Sequence, residues 1–291
     1  MALDNRYFSF CKTLGLMKEK FTRQRALDAI KNAVKNDKAA DPAFVAEVEK
    51  LTLNSREVYI RVCVLYHYQM NVKYVAGGAM KSTVINDFGH SGVPDSLKLT
   101  KFGEGEYTTL QNASQVPFPV YNDENLFTLE SMKSALAKVI EERLPNATDY
   151  QTNGWDVSAY FVPTLIVDMH WNGKRYPMYY NLQNGCYHWD YPDNPALLKK
   201  GATAKTLSTL ATVGSYVLSV LSALTAISAG LGAAIPGVIA FIITHILAKK
   251  NKHSKNYYQK YFLNNPEKGL LAPIKFIIPM LIVAIIAFVL F

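Results

Sequence analysis

The spacing of hydrophobic positions changes several times along the chain. From Val58 to Tyr74, apolar or aromatic side chains alternate with mostly polar ones, which predicts a β-strand with one buried face. The run is longer than an ordinary strand, so we expect a bend or bulge within it. A spacing of three to four residues, typical of helices, precedes it in residues 1–56 and returns between Thr128 and Leu144.

A second region of alternating pattern, residues 159–191, predicts an antiparallel meander. The pairs Asn172-Gly173 and Asn184-Gly185 are both typical of two-residue type I′ hairpin turns. The intervening segment 76–126 is rich in Gly, Ser, Asn, Asp and Pro. This composition predicts a long loop with room for one short hairpin.

Two apolar stretches follow the meander. Residues 206–248 contain no Asp, Glu, Lys or Arg, and residues 270–291 are interrupted only by Lys275. A helix that spans a bilayer needs roughly 20 apolar residues. The first stretch therefore predicts a membrane hairpin of two helices, about 206–228 and 234–248. The second is typical of a tail anchor.

Together these patterns predict an α+β soluble domain, with N-terminal helices, antiparallel β-hairpins and a meander, attached to an α-helical membrane module. The module consists of a helical hairpin plus a C-terminal helix. The predicted divisions are 1–56, a helical segment; 57–198, the α+β domain with its long loop 76–126; 199–252, the membrane hairpin with lysine flanks; 253–269, a basic aromatic connector; and 270–291, the C-terminal membrane helix.

The positive charge is concentrated at one end of the sequence. The net charge is +8, and ten lysines but a single acidic residue, Glu267, follow residue 198. The part before residue 199 is thus close to neutral, which argues against nucleic-acid binding. Lysines on both sides of the hairpin predict an integral membrane protein whose N-terminal domain is cytoplasmic, or host-cytosolic in a secreted effector. The N-terminus lacks the apolar core of a secretory signal.

Lysines and aromatic residues alternate after the hairpin, a composition that favours contact with anionic lipid headgroups. We expect this surface to comprise Lys249, Lys250, Lys252, Lys255, Tyr257, Tyr258, Lys260 and Tyr261.

Small and hydroxyl side chains recur every three or four positions in both hairpin arms. This spacing favours close packing of the two arms. The alternative is that the hydroxyl groups line a water-filled path in an oligomer, and an ionisable histidine at that depth favours this functional interpretation. The positions are Ser208, Thr212, Ser215, Ser219, Ser222 and Ala226 in the first arm, and Gly237, Ala240, Thr244 and Ala248 in the second, where the ionisable His245 follows Thr244.

Candidate catalytic chemistry is confined to the polar face of the meander. Asp168, His170, Cys186 and His188 share that face, and Cys, His and Asp can form a metal site or a nucleophile–base pair. Residues two apart on a strand lie about 7 Å from each other, too far for a direct hydrogen bond between short side chains. A solvated polar face is therefore favoured, and we assign no metal and no cofactor.

The function favoured by these patterns is a non-enzymatic interaction protein anchored to a membrane. Its expected partners are a lipid bilayer with anionic headgroups and an unidentified protein, and a second copy of the chain is a further candidate. The segment 199–252 resembles the hydrophobic hairpin of pore-forming colicins in length and lysine flanks, although residues 253–291 follow it here. It also resembles the bilobed apolar segments of bacterial effectors that insert into host membranes. The resemblance implies a pore-forming toxin or effector as an alternative, and a membrane-tethered metal-dependent or cysteine hydrolase is a third.

Overall fold

The chain folds as two compact units. The computed structural model describes residues 7–290 except 91–93, 100–104, 123, 125, 148 and 229–230. The first unit comprises Met1–Asn36 and Val45–Tyr191, and the second comprises Asp37–Phe44 and Pro192–Phe291. The first contains the described strands, and the second is built mainly from helices.

A mixed β-sheet forms the centre of the first unit. Its order is β3-β2-β5-β1-β4, and β6 pairs with both β5 and β7. The pairing of β1 with β5 is parallel, whereas the other ladders are antiparallel. The strands are β1 (Thr13–Met17), β2 (Val58–Ala76), β3 (Ala79–His90), β4 (Tyr107–Leu110), β5 (Asp149–Trp171), β6 (Lys174–Asn181) and β7 (Tyr187–Trp189).

The ladder between β2 and β5 is long and carries one irregularity. Its register shifts between Met70 and Asn71, opposite Gly154, which has a φ of +70°. A glycine without a Cβ adopts this backbone conformation readily, and an extra residue of this kind bends a strand. The irregularity expected within the run that starts at Val58 lies in the partner strand instead, because the extra residue belongs to β5 and β2 is continuous from Val58 to Ala76.

Both faces of the sheet are covered by apolar side chains. On one face, Val64 and Phe161 pack in a cluster that includes Met132 and Leu136 of α3 (Leu129–Arg143). On the other, Leu65 packs with residues from loops and other strands. Thr128 caps α3, and its side chain accepts a hydrogen bond from the Ser131 backbone N–H, as the sequence predicts.

The remaining helices lie in two parts of the chain, near its N-terminus and in its C-terminal third. Helix α2 begins where predicted, since the carboxylate of Asp41 accepts a hydrogen bond from the backbone N–H of Ala43. A short 3-10 turn, Ala272–Ile274, precedes the last helix. The helices are α1 (Arg23–Asn36), α2 (Pro42–Lys50), α4 (Pro195–Ser228), α5 (Leu231–Lys250), α6 (Lys255–Asn264) and α7 (Ile277–Leu290).

The predicted fold class is wrong in its soluble part, where the sheet is mixed and not purely antiparallel. Strand β1 lies in the N-terminal segment predicted to be helical, and β3 and β4 lie in the predicted loop 76–126. The polar composition of β3 reflects its place at the edge of the sheet, where one side of the strand faces solvent. Gly77 and Gly78, both with positive φ, make the tight turn that leads into it.

The predicted membrane module, with its transmembrane helices, tail anchor and integral membrane location, is also wrong. No helix within the described residues combines the length and the apolarity required to cross a bilayer. Helix α7 has 14 residues, which at about 1.5 Å each reach about 21 Å across a core of about 30 Å. In α4 the lysines of the first turns and the Ser, Thr and Gly residues that follow dilute its apolar character. The predicted cytoplasmic location of the N-terminal domain depended on those membrane spans and therefore has no basis.

Candidate functional site

The helical unit has chemically different ends. Helices α4 and α5 run antiparallel, so that the lysine-bearing first turns of α4 meet the last turn of α5, which contains Lys249 and Lys250. Helix α7 begins at the same end, because Ile277 packs in one cluster with Ala204 and Ala248. The opposite end, where α4 leads into α5, lies in the charge-free stretch 206–248.

A buried hydrogen-bond network closes the lysine-rich end. The hydroxyl of Tyr258 on α6 donates to the Ser208 hydroxyl at 2.9 Å, and the Asn251 side-chain amide donates to the same oxygen at 2.8 Å. All three side chains are buried. Burial raises the pKa of Tyr258, and the hydrogen bond with Ser208 opposes this effect. The network ties α4, the end of α5 and α6 together.

A cavity of about 590 Å³ opens next to this network. Three lysines are among the residues that line it: Lys205, Lys249 and Lys252. None of the three forms an ion pair with another described residue. The sequence explains this, since residues 199–266 contain neither Asp nor Glu. The walls are otherwise mixed, with hydroxyl and apolar side chains.

A tyrosine and a histidine that contact each other, Tyr216 and His245, also line the cavity. The Tyr216 hydroxyl lies 2.9 Å from Nδ1 of His245. A neutral imidazole that accepts this hydrogen bond at Nδ1 carries its proton on Nε2, and Nε2 is then a hydrogen-bond donor. If Nδ1 carries the proton instead, it donates to the Tyr216 oxygen, so this contact fits either tautomer of His245.

Large apolar side chains cover the outer surfaces of α4, α5 and α7. Leu210 and Ile227 on α4 are each 65% exposed, as is Ile235 on α5, and Val289 on α7 is 74% exposed. A monomer rarely exposes apolar patches larger than a few hundred Å². The others are Leu207, Val213, Val217, Val220, Leu221, Leu224, Val238, Ile239, Phe241, Ile242, Ile243, Ile246, Ile278, Ile282, Ile285 and Ile286.

The small-residue positions are divided between the helix interface and the cavity. Ser219 donates a hydrogen bond to Thr244 across the two helices at 3.1 Å, and Ser208, Ser215, Ser219 and Thr244 are buried. Thr212 and His245 line the cavity. The side chains of Ser222, Ala226, Gly237 and Ala240 lie outside the described residues.

The lysine–aromatic segment is only partly a surface. Tyr258 is fully buried and Tyr261 is half-buried in the core of the helical unit. The remaining residues of the predicted set, Lys249, Lys250, Lys252, Lys255, Tyr257 and Lys260, are exposed.

In the α+β unit, Asp168 belongs to a polar network along β5 and β6. It accepts hydrogen bonds from Arg175 Nε at 2.6 Å and from the Tyr59 hydroxyl at 3.2 Å. The hydrogen bond to Asp168 raises the pKa of Arg175, and burial raises that of Tyr59. Tyr121 extends the network to Tyr179 through a 2.7 Å contact between hydroxyl groups. The carboxylate is thus engaged in fixed structural contacts.

His188 forms a short chain of contacts at the surface. Its Nδ1 lies 3.1 Å from the hydroxyl of Ser96, and its Nε2 lies 3.4 Å from the carboxylate of Asp190. Ser96 and Asp190 are exposed, so water competes for both contacts. His170 is also exposed. Within the described part of the chain, no three His, Cys, Asp or Glu side chains group as metal ligands.

Cys186 follows a turn that differs from the prediction. Asn184-Gly185 does not form a two-residue turn: Tyr180 pairs with Tyr187, and a longer loop lies between them. The type I′ prediction is wrong because the Asn184 side chain is engaged elsewhere. It accepts a hydrogen bond from the Cys186 N–H and donates to the carbonyls of Leu97 and Lys98.

Sequence reasoning missed the cavity and several residues that line it, among them Lys205, Tyr216 and Asn251. The available signal was the absence of acidic residues around the lysines. Comparison with known proteins gives no match to any family model, curated protein or solved structure.

Proposed function

We propose that the protein is a non-enzymatic interaction protein whose helical unit binds a lipid surface. The observation that supports this is the set of exposed apolar side chains on α4, α5 and α7, which ends at a lysine-rich border. The proposal requires contact between these side chains and acyl chains. It does not require a helix to cross the bilayer.

The distribution of charge favours lipid over a second copy of the chain. Protein interfaces have an apolar core and a polar rim around it. Here charge lies at one end of the helices only, and the rest of 206–248 has none. An anionic lipid surface matches this arrangement, since its headgroups attract lysines while the layer beneath accepts apolar side chains.

The α+β unit supports a non-enzymatic role. Asp168 is bound by Arg175 and Tyr59, and the His188 contacts are exposed to water. These groups behave as structural and surface contacts, so we propose that this unit is recognised by a protein partner once the helical unit is bound to lipid. The apolar face of the meander lies in the core, where Leu165, Val167 and Met178 are buried.

The test is flotation of the full-length protein with vesicles made of equal parts of phosphatidylcholine and phosphatidylglycerol. The wild type should float with the vesicles. Changing Ile239→Glu and Ile243→Glu on the exposed face of α5 should abolish flotation, because each buried charge costs about 2–3 kcal/mol in an apolar layer. The matched control is Val84→Glu on β3, an exposed apolar position in the other unit.

Two outcomes would contradict the proposal. One is a wild type that stays at the bottom of the gradient. The other is a discrete dimer in the absence of lipid that the two α5 substitutions convert to monomer, which would make a second copy the occupant of this surface.

A further inference from the structure

We propose that the cavity next to Ser208 binds the phosphate group of an anionic phospholipid. The inference rests on the proposed lipid-binding function and identifies the headgroup chemistry. The cavity has a volume of about 590 Å³ and opens at the lysine-rich end of the helical unit. That end is where the headgroups lie when the apolar surfaces of α4 and α5 contact acyl chains.

The charge in the cavity requires an anion. Lys205, Lys249 and Lys252 line it, and no acidic residue occurs anywhere in 199–266. The C-terminus of α5 supplies only about half a negative charge through its backbone dipole. The three positive charges of the lysines exceed this half charge by more than two. A single bound phosphate group compensates this excess of positive charge.

A fourth donor is available in the wall. When the Tyr216 hydroxyl donates to Nδ1 of His245, Nε2 of that ring carries the proton and can donate to an anion. In contrast, the hydroxyl of Thr209 donates to the Lys205 carbonyl and that of Thr212 to the Ser208 carbonyl. The recognition groups are therefore the ammonium groups and the imidazole, which together suit a phosphate.

The shape of the wall favours a lipid over free phosphate. Val213 and Ala248 contribute apolar surface to the same cavity. The exposed side chains of Leu210 and Val217 continue this surface along α4. A ligand with a phosphate at one end and acyl chains at the other matches both, whereas inorganic phosphate uses only the polar part.

The experiment compares two kinds of vesicle: phosphatidylcholine alone, and equal parts of phosphatidylcholine and phosphatidic acid. The variant carries Lys205→Gln, Lys249→Gln and Lys252→Gln. General attraction to an anionic surface contributes about fivefold in affinity per lysine wherever the lysine lies on that surface, so we expect the cavity variant to lose more than roughly a hundredfold for the phosphatidic acid vesicles, a greater loss than that of a variant lacking three other lysines. Binding to phosphatidylcholine should be unchanged.

The matched control removes the same charge from the same unit outside the cavity, by Lys255→Gln, Lys260→Gln and Lys268→Gln. A loss of affinity equal to that of the cavity variant would overturn the site and leave only general surface attraction.

Thr209→Trp fills the cavity without changing its charge, and it should also remove the preference for phosphatidic acid. Retention of the full preference in that variant would contradict the proposal.

Three further results distinguish a lipid from a soluble anion as the ligand of the cavity. They also distinguish failure of the headgroup site from failure of the proposed lipid-binding function. Inorganic phosphate or glycerol phosphate that competes at the concentration at which the lipid binds would assign the cavity to a soluble anion and overturn the lipid assignment. Equal binding of wild type and cavity variant to both vesicle types would reject the headgroup site and leave lipid binding intact. Absence of binding to either vesicle would reject the proposed function itself.

Discussion

The hydroxyl of Tyr258 lies 2.9 Å from the hydroxyl of Ser208, and both side chains are buried. The contact joins α6 to α4 across a long stretch of sequence. From the sequence, Tyr258 was expected at a headgroup surface because it lies among lysines. The helical spacing of Tyr258 and Phe262, both fully buried, instead turns this face of α6 toward the core.

We predict that Tyr258→Phe lowers the stability of the helical unit by about 1–2 kcal/mol. The substitution keeps the ring but removes the donor, so Ser208 loses one partner in a buried environment. The control is Tyr257→Phe: this exposed ring stacks on His253, and the contact survives the substitution. Thermal unfolding in a mild detergent, followed by circular dichroism, measures both, and equal midpoints would contradict the prediction.

Two glycines on α4 should respond to alanine in opposite directions. A Cβ at Gly201 would lie 2.7 Å from the Cα of Gln259, a backbone atom of α6 that cannot move aside alone. At Gly214 nothing lies within 4 Å of the added atom. Gly214→Ala should therefore stabilise the unit by about 0.5–1 kcal/mol through helix propensity.

Gly201→Ala gains the same propensity but forces α4 and α6 apart, so we expect a lower thermal midpoint than that of the wild type. The pair shares a helix and a substitution, which makes each variant the control of the other. Stabilisation by both would show that α4 and α6 do not approach as closely as described.

The sequence predicted local pairing better than the assembly of the sheet. The two-residue turn predicted at Asn172-Gly173 is confirmed, and it places Trp171 opposite Lys174 and Met169 opposite Tyr176. Strand β1 was missed because its five residues are too few for an alternating pattern and its partner, β5, is distant in sequence. Long-range parallel pairing leaves no local signature.

The candidate site was predictable only in part. The lysines around the hairpin are evident in the sequence, whereas their convergence on one cavity depends on the antiparallel packing of α4 and α5. For α4, the prediction of a membrane-crossing helix is wrong because an absence of charge is not the same as apolarity. The Ser and Thr residues of α4 carry no charge, yet they form buried polar contacts such as that between Ser219 and Thr244.

The network around Asp168 predicts a stability difference between two aspartates on the same strand. Asp168→Asn weakens the contacts with Arg175 and Tyr59, and we expect a loss of about 1–2 kcal/mol. Asp156→Asn is the control, since the ion pair of Asp156 with Lys12 is exposed and such pairs contribute at most about 1 kcal/mol.

Urea unfolding followed by tryptophan fluorescence measures both aspartate variants, because the three Trp residues all lie in the α+β unit. A larger loss for Asp156→Asn than for Asp168→Asn would contradict the assignment of Asp168 to a structural network.

The buried thiol of Cys63 predicts that the α+β unit loses stability at alkaline pH. Burial raises the pKa of Cys63 from 9.0 to about 12, with an opposing hydrogen bond to Thr164. Below the pKa of the unfolded chain both states hold the proton, and the stabilisation is complete. As the pH rises from 9.0 toward about 12, the unfolded chain releases the proton and the folded chain keeps it. The free energy of unfolding then falls by about 1.4 kcal/mol per pH unit from this group.

Cys63→Ala should reduce this alkaline decline because it removes the titrating thiol from both states. Between about pH 8 and about pH 10.5 the variant should lose about 2 kcal/mol less than the wild type, as measured by urea unfolding with tryptophan fluorescence. The neighbour Val64 is equally buried and does not titrate, so Val64→Ala controls for the cavity that either substitution creates. Val64→Ala should start from a lower stability and follow the wild-type slope. A Cys63→Ala protein with that same slope would assign the alkaline decline to other groups, of which the thiol of Cys11 is the first candidate, since burial raises its pKa from 9.0 to about 12 as well.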